Sequence, residues 1–135
     1  MSAQPPTLRI NLESVVPVYE QISDGIRTEL VAGRLQPGHA LPTVRELALN
    51  LGVHHNTVAE AYRLLAREGW LDLRRGRGAV VVERQGPKPS AETATEFARR
   101  LRELAAKAVA QGVPKRAVGR QLKALGAELE EGESQ

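Results

Sequence analysis

The chain has 135 residues, enough for one ordinary domain or a small domain with an appendage, which excludes a large multi-domain enzyme. With 41% hydrophobic and 26% charged residues it is too apolar for wholesale disorder, and no uncharged stretch is long enough to span a bilayer. There is no cysteine, so disulfides and thiolate metal sites are excluded, and a net charge of +3 leans only weakly toward an anionic partner. The four aromatic residues, Tyr19, Tyr62, Trp70 and Phe97, are too few for a site of stacked rings and are expected in the core. The Met-Ser-Ala-Gln-Pro-Pro start lacks the basic and apolar regions of a signal peptide, and a cytoplasmic location is expected.

Residues up to about Thr7 are polar and proline-containing and read as a frayed end. Pro17 suits the first turn of a helix in which Val18, Ile22, Ile26 and Leu30 recur every four residues until Gly33 offers a stop. Residues 34–42 form a turn-rich connector with Leu35 and Leu41 as anchors. Thr43 followed by Glu46 is a capping box opening a short helix through Val44, Leu47, Ala48 and Leu51, which Gly52 ends. A third helix is predicted over residues 56–68, with Val58, Ala61, Tyr62 and Leu65 inward and Gly69 as terminator.

Residues 70–82 hold two β-prone runs around Arg74, Arg75, Gly76, Arg77 and Gly78, which predicts a hairpin. A helix-turn-helix followed by a basic hairpin is a winged helix. The two prolines and the glycine of residues 85–90 mark a linker between a winged helix-turn-helix over residues 8–84 and a helical tail over residues 91–130. In the tail, Ala94, Phe97, Ala98, Leu101, Leu104, Ala105 and Ala108 form one apolar stripe, and Val118, Leu122, Leu125 and Leu129 another. They predict an antiparallel helix pair. The fold class is mainly α with a small β-hairpin.

Charge placement is more telling than its sum. Residues 1–85 carry ten Arg and no Lys against nine acids, so every cation there other than histidine is the type suited to bidentate base and phosphate contacts. A helix-turn-helix presents the start of its second helix to the DNA major groove. Here that edge is His54, His55, Asn56 and Thr57: Asn pairs bidentately with adenine, while His and Thr reach base edges or phosphates. Thr43 and Arg45 on the preceding helix, Arg63 and Arg67 farther along the third, and Arg74, Arg75, Gly76 and Arg77 at the wing tip complete the candidate DNA-contacting set.

Other chemistries find less support. His54 and His55 diverge by about 100 degrees on a regular helix and His39 lies in another element, so no metal or other cofactor is expected. No Ser/His/Asp order, zinc-protease motif or phosphate-loop lysine points to catalysis.

Residues 17–81 resemble the DNA-binding domain of GntR-type bacterial transcriptional regulators. The motif is carried by Gly33-Arg-Leu-Gln-Pro-Gly-His-Ala-Leu-Pro-Thr-Val-Arg-Glu-Leu-Ala48 and by Gly52-Val-His-His-Asn-Thr-Val-Ala-Glu-Ala-Tyr62. The resemblance implies DNA contacts by Arg45, by His54 to Thr57 and by the wing tip at Arg75 and Gly76. The chain departs from many members in carrying His55 and Ala59 where they carry arginines. Its short tail resembles that of the YtrA-like branch, in which the tail makes the dimer and members are often repressors.

These readings converge on a sequence-specific regulator, a repressor that binds a pseudo-palindromic double-stranded DNA operator as a homodimer. Phe97, Leu101, Leu104, Val118, Leu122 and Leu125 are the expected dimer contacts, because two such helices expose more apolar surface than they bury on each other. An effector, if the protein has one, would sit at the dimer interface or between tail and winged domain, since the tail leaves little room for a private pocket. The rival reading is a winged-helix protein-interaction module without sequence-specific DNA binding. A membrane-surface role is disfavoured because Glu92, Glu96 and Glu103 share the tail's polar face.

Overall fold

The computed structural model describes residues 8–74 and 78–133, and the frayed end expected before residue 8 lies outside them. The chain divides into two compact units, Met1–Gln85 and Gly86–Gln135. The first contains α1 (Val18–Val31), α2 (Val44–Leu51), α3 (His55–Arg67) and the antiparallel strands β1 (Leu71–Arg74) and β2 (Gly78–Val81). The second contains α4 (Ala91–Ala110) and α5 (Lys115–Glu133). The mainly helical fold with one small hairpin is as the apolar spacing dictates.

Helix α3 is the hub of the first unit, packing against α1, α2 and β1. Its inward residues Val58, Ala61, Tyr62 and Leu65 meet Ile22, Ile26 and Leu30 from α1 and Leu47 and Ala48 from α2. The hairpin closes the core from the other end. Its register pairs Leu71 with Val81 and Leu73 with Ala79, and Leu71, Ala79 and Val81 are buried. Tyr19 and Trp70 are half-buried against this core and Tyr62 lies within it. Ahead of α1, Leu8 lies across the helix at Gly25, where any larger residue would collide with it.

The connector does more than turn. Leu41 N–H donates to the Ala79 carbonyl, Val81 N–H to the His39 carbonyl and Gly38 N–H to the Val81 carbonyl, each at 2.8 Å, so this segment runs along β2 through an antiparallel bridge between Ala40 and Val80. At the start of β2, Gly78 has a φ of +71°, and a Cβ there would stand 3.6 Å from the Thr43 Cα. The hairpin is thereby seated against the start of α2.

A polar cluster fastens the far side. Arg27 on α1 grips Glu68 through two bonds, Nε to Oε1 at 3.0 Å and Nη2 to Oε2 at 2.8 Å. Arg84 Nε donates to the Glu68 carbonyl at 2.8 Å while its guanidinium lies 4.6 Å above the Trp70 ring. Sequence reading assigned Arg27 and Arg84 no role, because their partners are distant in the chain.

In the second unit, Ser90 Oγ caps α4 by accepting from Thr93 N–H, and residues 111–114 connect α4 to α5. Along α4, Arg99 pairs with Glu96 and Glu103. Leu101 and Val118 are half-buried, but the two helices meet sparsely and leave most of both stripes open. Phe97 is 63% exposed and Leu104 66%, so Phe97 is not the core ring that its apolar character suggested. A two-helix unit has no third layer to bury it. No helix among the described residues is long and apolar enough to cross a membrane.

Arg27 holds the Glu68 carboxyl below the usual carboxylate range. A depressed carboxylate stabilises the fold at neutral pH and loses that contribution as pH falls through its folded pKa, which lies below the usual carboxylate range. Because the pair is about one-third exposed, Glu68→Gln should cost on the order of 1 kcal/mol at pH 7, lowering the melting temperature by a few degrees. Thermal melts should show the gap between variant and parent closing as the pH is taken below the usual carboxylate range.

Candidate nucleic-acid interface

Two capped helix starts lie side by side in sequence and frame the site. At α2, Thr43 Oγ1 accepts from Glu46 N–H at 3.1 Å and Glu46 Oε1 accepts from Thr43 N–H at 3.0 Å, forming the expected capping box. The same bonds hold the Glu46 carboxyl below its usual range. At the other end Gly52 adopts φ +70° and Val53 N–H returns to the Ala48 carbonyl. That left-handed step lets α3 follow α2 with only three residues between them.

The α3 cap is a histidine. His54 Nδ1 accepts from Asn56 N–H at 3.1 Å, so the helix starts at His55, one residue earlier than the sequence predicts. An accepting Nδ1 fixes the neutral tautomer with its hydrogen on Nε2, leaving that donor available. The His55 ring stacks on His54 at a centroid distance of 4.4 Å. Ser, Thr, Asn and Asp are the usual caps, which is why this role was not legible beforehand.

His54, His55 and Asn56 are exposed at the leading edge of α3, with Thr57 half-buried behind them. Arg45 is exposed on α2, and together with Ala48, Leu49, Val53, His54 and His55 it lines a shallow groove between the two helices. No carboxylate lines this groove. Arg63 and Arg67 are also exposed on α3. By contrast Arg27, Arg34 and Arg84 are engaged within the protein, by Glu68, Glu29 and the Glu68 carbonyl respectively.

Arg74 is the last residue of β1, and Arg75, Gly76 and Arg77 lie outside the described residues. The tail residues Phe97, Leu101, Leu104, Val118, Leu122 and Leu125 lie in the second unit. Among the described residues no group of three or more His, Asp or Glu is arranged to hold a metal ion. Leu49 was missed by the sequence reading, which considered apolar residues of α2 only at inward positions. Its place four residues after Arg45 was the available signal.

The family model for bacterial regulatory proteins of the gntR family matches residues 18–81, from the start of α1 to the end of β2. The transcriptional repressor YtrA of Bacillus subtilis is 41% identical over 76 residues, covering 56% of this chain and 58% of its own length. A structure of YtrA from Sulfolobus acidocaldarius, a GntR-family transcription factor, is similar with a TM-score of 0.55 and 37% identity, over 73% of this chain and 97% of that one. The chain belongs to the GntR family. A transcriptional antiterminator from Listeria monocytogenes EGD-e is also similar, with a TM-score of 0.64 and 28% identity over 91% of this chain and 92% of that one. This GntR-family chain spans just over half the length of the Bacillus relative.

The GntR motif therefore falls on the elements that build the groove, and a histidine caps the second of its helices. Replacing His54 by Ala should remove the cap and destabilise the first unit by about 1 kcal/mol, whereas Asn, which caps through its side-chain oxygen, should restore most of the loss. Chemical denaturation of the two variants against the parent measures both effects.

Proposed function

We propose that the chain is a sequence-specific, double-stranded DNA-binding transcriptional regulator, a repressor acting in the cytoplasm as a homodimer. The observation that carries this reading is the exposed leading edge of α3, His54 to Asn56, beside an exposed Arg45 in a groove without carboxylates. A surface built of donors and short polar side chains at a helix start suits the major groove, where each base pair offers a distinct pattern. It is a binding surface, with no reaction for its residues to perform.

In this reading Asn56 pairs with adenine N6 and N7, and Arg45 with guanine O6 and N7. Thr43, His55, Thr57, Arg63 and Arg67 fix the register on phosphates, and His54 offers its Nε2 hydrogen. In the same reading Arg74, Arg75, Gly76 and Arg77 supply the contacts to the flanking minor groove. The relatives named as repressors support the class of activity.

The open stripes of α4 and α5 support dimerisation. Phe97 and Leu104 are largely exposed, Leu122 and Leu125 are exposed by 39% and 45%, and with Leu101 and Val118 they offer one apolar face to an identical chain. A two-fold dimer presents two copies of α3 to a pseudo-palindromic operator. Repression then follows from occupancy, since the bound dimer covers its site.

Binding measured by fluorescence anisotropy, on a fragment selected from genomic DNA, tests the first part. Asn56→Ala should weaken the preferred fragment by about tenfold or more and leave scrambled DNA unaffected, while Arg77→Ala should flatten the log Kd against log salt slope by about 0.9. A parent protein that prefers no fragment would instead be a protein-interaction module. For the second part, light scattering at micromolar concentration should give twice the chain mass for the parent and a single chain for Leu125→Asp. The variant should retain the melting transition of the first unit; a monomeric parent refutes the dimer.

A further inference from the structure

The groove between α2 and the start of α3 has a floor that the contacts above leave unused. Leu49 is 85% exposed, four residues beyond Arg45 on the outward side of α2. Ala48 and Val53 join it in lining the groove, and the rest of the lining is Arg45, His54 and His55. A single exposed leucine requires no explanation in itself. This one lines a concavity with Ala48 and Val53, and the other three lining side chains, Arg45, His54 and His55, carry hydrogen-bond donors.

We propose that this groove reads a thymine, with Leu49 packed on the C5 methyl group and Arg45 on O6 and N7 of an adjacent guanine. The inference rests on the DNA-binding reading and deepens it. Among the four bases thymine alone presents a methyl group in the major groove, and it does so beside the O4 acceptor. An apolar floor next to donors complements that pair of features. The charge also fits: Arg45 and the amino end of α3 favour the polyanion, and no carboxylate of the lining repels it. His54 contributes from the same side, since its capped Nδ1 leaves a donor on Nε2.

The test removes the methyl group and nothing else. In the fragment recovered by genomic selection, each thymine in turn is replaced by uracil, and affinities are measured for the full-length parent and for Leu49→Ala. Leu49 is exposed and alanine is a strong helix former, so circular dichroism melts should show the variant folded as the parent is. At one thymine in each half-site, uracil should weaken the parent by about threefold to fivefold, the scale of one buried methyl group. At that position Leu49→Ala should bind thymine and uracil equally.

A parent that prefers the fragment yet is indifferent to uracil at every position overturns the inference and leaves the DNA reading standing. So does a uracil effect that persists undiminished in Leu49→Ala, since the methyl group is then read elsewhere. If Leu49→Ala also leaves affinity for the unmodified fragment unchanged, the groove serves a protein surface and the inference is again overturned. Failure to recover any preferred fragment would defeat the DNA reading itself, a result distinct from uracil indifference.

Discussion

The hydroxyl of Tyr62 donates to the carbonyl of Pro42 at 2.8 Å within the buried core, and the arrangement of the first unit depends on that bond. Tyr62 is 1% exposed, and burial pushes its phenol above the usual range, which favours the protonated, donating form. A buried hydroxyl without a partner is costly, which confines Pro42 to a narrow range of positions relative to α3. Pro42 directly precedes the cap of α2 and lies two residues after the bridge to β2. One side chain in the middle of α3 therefore ties that helix to the start of α2 and to the edge of the hairpin. The outward positions of Arg45, Leu49 and His54 follow from this internal tie and from the tight turn at Gly52.

Arginine serves two opposite purposes in the same fold. Arg27 and Arg84 converge on Glu68 from different elements, and Arg84 also covers the half-buried face of Trp70. Planar guanidinium groups suit both tasks, bidentate pairing with a carboxylate and stacking on a ring. Arg45, Arg63 and Arg67 stay in water on the surfaces of α2 and α3. Counting charges cannot separate these groups, because the first 85 residues carry ten arginines against nine acids. Only the long-range pairing of Arg27 with Glu68 shows which cations hold the fold together and which are left for an anionic partner.

Much of this was readable from the residues alone. Ile22, Ile26 and Leu30 at spacing four, the Thr43 and Glu46 box, and the glycines at 33, 52 and 69 fix three helices and their ends by local physics, so they appear where expected. The features that escaped depend on contacts between distant segments or on an unusual residue in a familiar place. The bridge from Ala40 to Val80 lies two residues before a Pro42 held by Tyr62, and no alternation in the connector advertises either contact. Histidine as a cap is uncommon, so α3 was read as starting one residue late. Phe97 was expected in the core as an aromatic ring, but a pair of helices without a covering layer leaves it in water. Leu49 was passed over because apolar periodicity directs attention inward.

His54 holds a helix end with one ring nitrogen and faces outward with the other. A residue with two such duties cannot drift on either count alone, since a change that alters what it touches also removes a bond from the first turn of α3. Positions 45, 49 and 56 carry no comparable burden in their side chains. A substitution at 54 should therefore favour the short polar residues that cap a helix equally well, so that what the cap position can read is narrowed by what the helix needs.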